Sequence, residues 1–544
     1  MKNIKSQIEE TLVDAFRSIP GFEDIKDDIY VMPSARKEFG DFCTNAALKE
    51  AKSRKLDPRK LAVELCESIS RLNPSYLEKV DIINGFVNFF VKDSFYLDFA
   101  REIHESGGTS LKDGSSRKEK VLIEFVSANP TGPLTIAHGR QAAYGEALAR
   151  ILKYAGFQVS REYYLNDGGR QIHLLGKSLK ARYLQAKGLE SPIPEEGYEG
   201  EYLIDLAGEL SDAEGKDDSF FDNYASGRIL EGIKEDLATF GVSFDSWVRE
   251  SSFIENGSVR ELIDDLKKRD LLYLSESSWW FRSSSYGDEK DRVVIKSDGS
   301  LTYLATDIAY HRDKISRGYD RLVNIVGPDH HGYIPRLRAA VEVLGGDPGG
   351  FVPVIVQLTT LYRGKEKLSM STRKGQFISL RQLIDEVGPD ASKFFFIFRK
   401  TDSHLDFDLE LAKKKDLENP VYYLQYAYVR MKHILRYAGE QGIDIDGIKP
   451  DFSLLRENEE IAVSRKLAAF PAVIDGAVQT YGVHLLAEYL LELSRLIHSY
   501  YQNHRVVNPG EKEVTDARLV LVKSVYEVFS RSLELLNISL PESM

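Results

Sequence analysis

The chain has 544 residues, enough for about three to five domains, and its 42% hydrophobic share supports sizeable cores. Its two cysteines, Cys43 and Cys66, cannot build a disulfide framework and fit a reducing compartment. The formal net charge of −12 excludes a general nucleic-acid coat, though not a local basic groove. No run of about 18 apolar residues occurs, so neither a membrane span nor a membrane partner is expected. Met1 to Asp14 is polar and charged without an apolar stretch, so no secretory leader is expected and the location expected is cytoplasmic.

Residues 1–105 mix helical patterns (Ile4 to Ser18, Pro58 to Leu72) with a strand-like run, Phe86 to Val91, and read as an α+β domain. A Gly- and Ser-rich linker, Ser106 to Ser116, follows. Val121 to Val126 is a short apolar run bounded by turn residues, the pattern of a buried strand. Gly139 to Tyr154 is helical, Gln158 to Leu165 strand-like, and Asp167 to Lys187 helical again. Residues 189–247 are more polar and mostly helical, and read as an insertion. Arg321 to Val326 and Pro353 to Thr360 are β-branched runs flanking a helical stretch, Ile334 to Leu344. This alternation over 117–404 predicts an α/β fold, a Rossmann-like doubly wound parallel sheet. From Leu405 to residue 544 strands disappear. Glu410 to Ala438, Asn458 to Val478, His484 to Asn503 and Thr515 to Leu536 predict an all-α bundle.

Four segments bear on chemistry. After the first strand, Ser127-Ala128-Asn129-Pro130-Thr131-Gly132-Pro133 turns into a helix near Thr135-Ile136-Ala137-His138. A helix start beyond a strand's carboxyl end suits phosphate, and His138 would donate there; an ordinary strand-to-helix loop is the plain alternative. Lys367 to Gly375 is rich in hydroxyls and carries Arg373 and Lys374 in succession. Such a loop can close over polyphosphate, or be a solvated basic turn. Tyr303 and Asp307 stand four apart, on one face of a helix, and with Glu124 form an acidic and phenolic set that suits a guanidinium. Capping or an ordinary ion pair is the alternative for Asp307. Gly327-Pro328-Asp329-His330-His331-Gly332 holds two histidines and an aspartate without further converging ligands. Nucleotide or substrate contact is preferred there over a metal.

Together these segments resemble the class I aminoacyl-tRNA synthetases, and specifically the bacterial arginyl-tRNA synthetases. Thr135-Ile136-Ala137-His138 lies where the family has His-Ile-Gly-His. Ser369-Met370-Ser371-Thr372-Arg373 lies where it has Lys-Met-Ser-Lys-Ser. Gly40 to Ala47, Arg161 to Asp167 and Leu540 to Met544 match it further, so the resemblance spans nearly the whole chain. It implies ATP with Mg²⁺, L-arginine and arginine tRNA as substrates and an arginyl-adenylate intermediate. No tightly bound protein-ligated metal and a monomer are expected. It assigns His138, Thr135, Ser371, Arg373 and Lys374 to catalysis, and Glu124, Asn129, Tyr303, Asp307 and His330 to arginine. Pro130, Gly132, Ala137, His138, Gly139, Gly327, Asp329, Met370 and Ser371 go to ATP. Asn84, Phe86, Asn88, Tyr422, Tyr426 and Arg430 go to tRNA, by stacking and base-edge bonds.

The chain departs from the family at Thr135 and Ala137 in the first motif and at Ser369 and Thr372 in the second, where lysines are usual. Arg373 or Lys374 would then supply the missing charge. A cysteine enzyme would want zinc ligands and a glutamate enzyme a cationic pocket, and neither is present. A non-catalytic tRNA-binding paralogue is the remaining rival. No editing domain is expected, because buried carboxylates left unpaired reject other amino acids by roughly 10⁴–10⁵.

Overall fold

A computed structural model describes residues 3–26, 29–34, 36–111, 117–368 and 377–544. At its centre five strands pair in parallel, in the order Phe351–Ile355, Arg321–Val326, Lys120–Glu124, Gln158–Leu165 and Ser246–Arg249. Helices cover both faces, which is why Val121, Leu122 and Ile123 are all buried and read as a continuous apolar run. The chain builds two strands on one side of Lys120–Glu124, then crosses to build two on the other. The order therefore reverses between Lys120–Glu124 and Arg321–Val326, and beyond Glu124 lies the reversal point at which open α/β sheets form a ligand crevice.

The flanking regions are as expected in kind. An antiparallel sheet (Met32–Pro33, Phe42–Thr44, Phe86–Val91, Leu77–Ile83) with helices Ile4–Arg17, Ala46–Arg54, Pro58–Leu72 and Asp93–Glu105 precedes the parallel sheet. A helical bundle (Pro420–Glu440, Asn458–Ala468, Phe470–Thr480, His484–Asn503, Lys512–Leu535) follows it. The two flanks touch: Arg465 of the bundle pairs with Asp41 and, at 2.8 Å, with Asp93, and Ser524 donates to the Ala100 carbonyl at 2.8 Å. No helix among the described residues is long and apolar enough to cross a membrane.

Several boundaries differ from the sequence reading. The run Pro353 to Thr360 is not one strand: Phe351–Ile355 ends in the parallel sheet, and Thr359–Arg363 starts another. Strands do not stop at residue 404, because Leu405–Asp408 pairs in parallel with Thr359–Arg363. Ser246–Arg249 is the edge strand of the main sheet, so Trp247 belongs to that sheet and not to an insertion. Two long helices are broken. Asn419 caps a new helix whose first residue is Pro420, and Phe470–Thr480 starts afresh with Pro471 in its first turn, where proline's missing N–H does no harm.

Candidate active site

The segment after the first strand is held under strain. Val126 has φ 68° and Ser127 φ 40°. Ser127 N–H donates to the Phe125 carbonyl at 2.9 Å, closing a left-handed γ-turn on a β-branched residue, which is costly without support. Support comes from several sides. The Ser127 hydroxyl donates to Glu124 at 3.1 Å and accepts from Tyr164 N–H at 3.1 Å. Tyr163 donates to the Ala128 carbonyl at 2.8 Å, Tyr202 to the Thr131 carbonyl at 2.7 Å, and Asn129 to Gln171 at 2.7 Å. Pro130 and Gly132 lie within this braced loop.

The helix that follows runs Ile136–Tyr154, three residues earlier than expected, with Thr135 as its cap. His138 thus sits within the first turn. Its Nδ1 lies 3.2 Å from the Thr135 N–H and accepts from it. Burial pushes the His138 pKa down to about 4 against the opposing pull of the Asp329 carboxylate. The ring is therefore neutral near pH 7 with its remaining proton on Nε2, a donor available to an anion at the helix start. Thr135 spends its backbone N–H on this cap. Gly139 faces inward: a Cβ there would lie 2.7 Å from Leu380, and its N–H bonds to the Thr135 carbonyl. Its bareness serves packing. Ala137, one residue before it, is half-buried.

The same helix is anchored to the sheet that leads to the second motif. Arg140, wholly buried, donates to the carbonyls of Gln357, Lys400 and Ser403 at 2.8–3.1 Å. Ser379 bridges Thr135, and Leu380 N–H donates to the Leu134 carbonyl at 2.7 Å. Met370, Ser371, Arg373 and Lys374 lie outside the described residues.

Across the crevice, the helix Tyr303–Ser316 presents the expected Asp307. Asp307 accepts from the Tyr333 hydroxyl at 2.5 Å. Burial pushes its pKa up to about 7, with Tyr333 opposing and the fields of Glu250 and Glu124 reinforcing the rise. Glu250, buried, accepts from Thr306 at 2.6 Å, and burial raises its pKa too. Neither carboxylate forms an ion pair among the described residues. Glu124 differs, for its carboxylate is taken by the buried ammonium of Lys314 at 2.5 Å. The three acids share one field, which also acts on Tyr164. Glu250 is thus the second carboxylate without a cation, where the sequence had pointed to Glu124.

Two other residues stand apart from this cluster. Tyr303, at the helix start, is 57% exposed, with its hydroxyl near Gly169. His330 is exposed on the turn Pro328–Tyr333, where it meets the edge of the Tyr333 ring and, at 3.7 Å, Asp329. Gly327 allows the Asp329 carboxylate to fold back, since a Cβ there would lie 2.6 Å from it. No cluster of three or more metal-ligating side chains occurs among the described residues.

The RNA candidates divide. Asn84 and Gly85, with φ 53° and 80°, form a two-residue hairpin turn, and Asn84 is exposed beside half-buried Phe86. Asn88 is 2% exposed and spends its amide on the Phe86 carbonyl at 2.8 Å, which corrects the expected RNA contact to a structural role. Tyr422, Tyr426 and Arg430 follow one another at helical spacing. Tyr426 stacks on His498 (5.4 Å, 17°), and Arg430 lies over Tyr501 at 5.1 Å.

Glu250, Lys314, Tyr333 and Arg140 were not singled out from sequence. Only Tyr333 carried a local signal, one residue beyond the Asp-His-His-Gly segment.

Comparison with known proteins bears on the whole chain. Residues 2–91 match the arginyl tRNA synthetase N terminal domain, 104–197 and 210–402 the catalytic domain of class I (R) tRNA synthetases, and 424–544 the DALR anticodon binding domain. An arginine–tRNA ligase of Geobacter sp. strain M21 is 43% identical over 95% of each chain. Arginine–tRNA ligase 2 of Bacillus thuringiensis is 42% identical over 99% of this chain and 98% of its own. The arginyl-tRNA synthetase of Thermus thermophilus, 21% identical, shares the fold over 99% of this chain and all of its own with a TM-score of 0.80. On the family models and the full-length identities, this chain belongs to the arginyl-tRNA synthetase family of class I.

Proposed function

We propose that the crevice at the strand reversal binds arginine and MgATP side by side and joins them before transfer to tRNA. The chain is an arginine–tRNA ligase. In the first step an arginine carboxylate oxygen attacks the α-phosphorus of ATP, and the bond to the β-phosphate oxygen breaks, releasing pyrophosphate. In the second, a ribose hydroxyl at the tRNA end attacks the carbonyl carbon of the adenylate, and AMP leaves.

The observation that carries the reading is the pair Asp307, half-buried, and Glu250, buried, two carboxylates that accept from hydroxyls and form no ion pair among the described residues. A guanidinium supplies charge and planar donors to both. Glu124 and Asn129 would meet the α-ammonium end, and Tyr303 would close the mouth. Pro130, Gly132, Ala137, Gly327 and Asp329 border the nucleotide in this reading. Neutral His138 donates a hydrogen bond from its Nε2–H to a phosphate oxygen, keeping the proton, and Arg373 or Lys374 adds charge to the departing pyrophosphate. Mg²⁺ arrives with ATP, on the phosphate oxygens.

Residues 1–105 would meet the tRNA corner through Asn84 and Phe86. The helices after residue 404 would meet the anticodon through Tyr422, Tyr426 and Arg430. The enzyme works as a monomer in the cytoplasm on this reading. The test is ATP–pyrophosphate exchange with arginine, with and without tRNA. Exchange that depends on arginine supports it; tight tRNA binding with no exchange refutes it.

A further inference from the structure

The helix Tyr303–Ser316 is fastened to the sheet by polar bonds in addition to the apolar packing of Leu304, Ala305, Ile308 and Ala309. Tyr310 donates to Glu162 of the strand Gln158–Leu165 at 2.7 Å, and Arg317 clasps the same carboxylate at 2.6 and 2.8 Å. One turn away, Lys314 is wholly buried. Its ammonium bonds to Glu124 at 2.5 Å and Asn324 at 3.3 Å, residues that face each other across the two strands where the sheet order reverses. The underside of the ammonium rests on the Tyr310 ring, 4.1 Å from its centre. Apolar packing lets a helix slide by fractions of a turn, but bonds between named atoms do not. Lys314 lies seven residues after Asp307, two turns along the same helix.

We infer that Lys314 is a positioning residue for arginine selection: it fixes the distance from Glu124 to Asp307, and so the length of amino acid that spans them. This rests on the reading that Glu124 meets the α-amino end and Asp307 the guanidinium. Two adjacent strands and one helix meet at a single ammonium, so its two hydrogen bonds and its ring contact define the separation of the two ends of the pocket. One methylene too many or too few is worth about 10–200-fold in a fitted pocket. The fit lasts only while both ends stay put.

The experiment is tRNA-supported ATP–pyrophosphate exchange by the full chain, with arginine and with its homologue one methylene longer. Lys314→Met is expected to raise the KM for arginine and to cut the preference for arginine over the homologue by about tenfold. The KM for ATP stays as in the parent. A fall in kcat and melting temperature with the preference intact would mean a structural role only, and would overturn the inference. Removing one member of a buried pair can prevent folding. Asn324→Ala therefore serves as the milder variant: it keeps the ion pair, frees one side of the ammonium, and is expected to lower the preference to a smaller extent. A parental preference in a folded Asn324→Ala protein, with Lys314→Met unfolded, also overturns it. Asp307→Asn separates the two levels. If it leaves the arginine KM unchanged, the pocket reading fails and takes this inference with it. If it raises that KM while the Lys314 and Asn324 variants keep their preference, only this inference falls.

Discussion

Tyr333 donates to Asp307 at 2.5 Å, and this bond, with the weaker field of the Lys314 ammonium, opposes the burial that pushes the carboxyl up to about 7. Guanidinium binding needs the ionised form. The KM for arginine is therefore expected to rise by about tenfold per pH unit below 7 and to level off above it. Tyr333→Phe removes a bond to the ionised form and should move the whole curve to higher pH. Initial-rate measurements between pH 6 and 9 check both; a flat profile counts against Asp307 as the guanidinium partner.

The same carboxyl affects stability with a definite sign. The folded protein holds this proton more tightly than the unfolded chain, whose value is near 3.8. Its contribution is complete below that value and is lost as pH rises through about 7. Asp307→Asn, which cannot ionise, should melt higher than the parent at pH 8, with the difference shrinking toward pH 5. Calorimetry of the ligand-free protein reads this directly.

Glu250→Gln keeps the bond from Thr306 but removes a charge. If the guanidinium sits between Glu250 and Asp307, arginine binding should weaken by about 2–5 kcal/mol while the KM for ATP holds. Equal losses for both substrates would place Glu250 in the scaffold.

His138→Ala should slow adenylate formation by about 10²–10³-fold, the usual loss of one fixed donor to a developing charge, and leave tRNA affinity alone. Because the imidazole titrates at about 4, no inflection from this residue belongs between pH 6 and 8. A rate limb near pH 6.5 that vanishes in His138→Ala would contradict the neutral ring.

In the first region, Phe86→Ala should weaken tRNA binding by about 1–3 kcal/mol if its half-buried ring stacks on a base. Asn88→Ala should lower stability with the tRNA Kd unchanged, since its amide is spent within the chain. Titration of labelled tRNA against both variants distinguishes them.

The sheet and the helix bearing Asp307 were legible because their signals are local: an apolar run for Val121 to Ile123, and a four-residue spacing for Tyr303 and Asp307. What escaped depends on distance along the chain. Lys314 reads as an ordinary surface lysine until Glu124, 190 residues earlier, is seen beside it. Glu250 opens the short helix Glu250–Glu255 directly after the edge strand, and Thr306, 56 residues on, is the partner that its buried carboxylate meets. The run Pro353 to Thr360 failed for another reason. Two strands with the same β-branched character adjoin there, and only the change of sheet divides them. Asn88 is assigned to RNA by the family resemblance of its region, and such a resemblance does not say which side chains of the strand are buried.

The left-handed turn at Val126 has a consequence for anyone evolving this enzyme. A β-branched residue in that conformation costs about 1–3 kcal/mol, which glycine or asparagine would largely recover. A library screened for heat resistance alone would drift toward those residues at position 126. A library screened for aminoacylation would keep the valine, provided the kink is what aims Ser127 at Glu124. Sequencing the two survivor pools would show whether rigidity and turnover compete at this peptide.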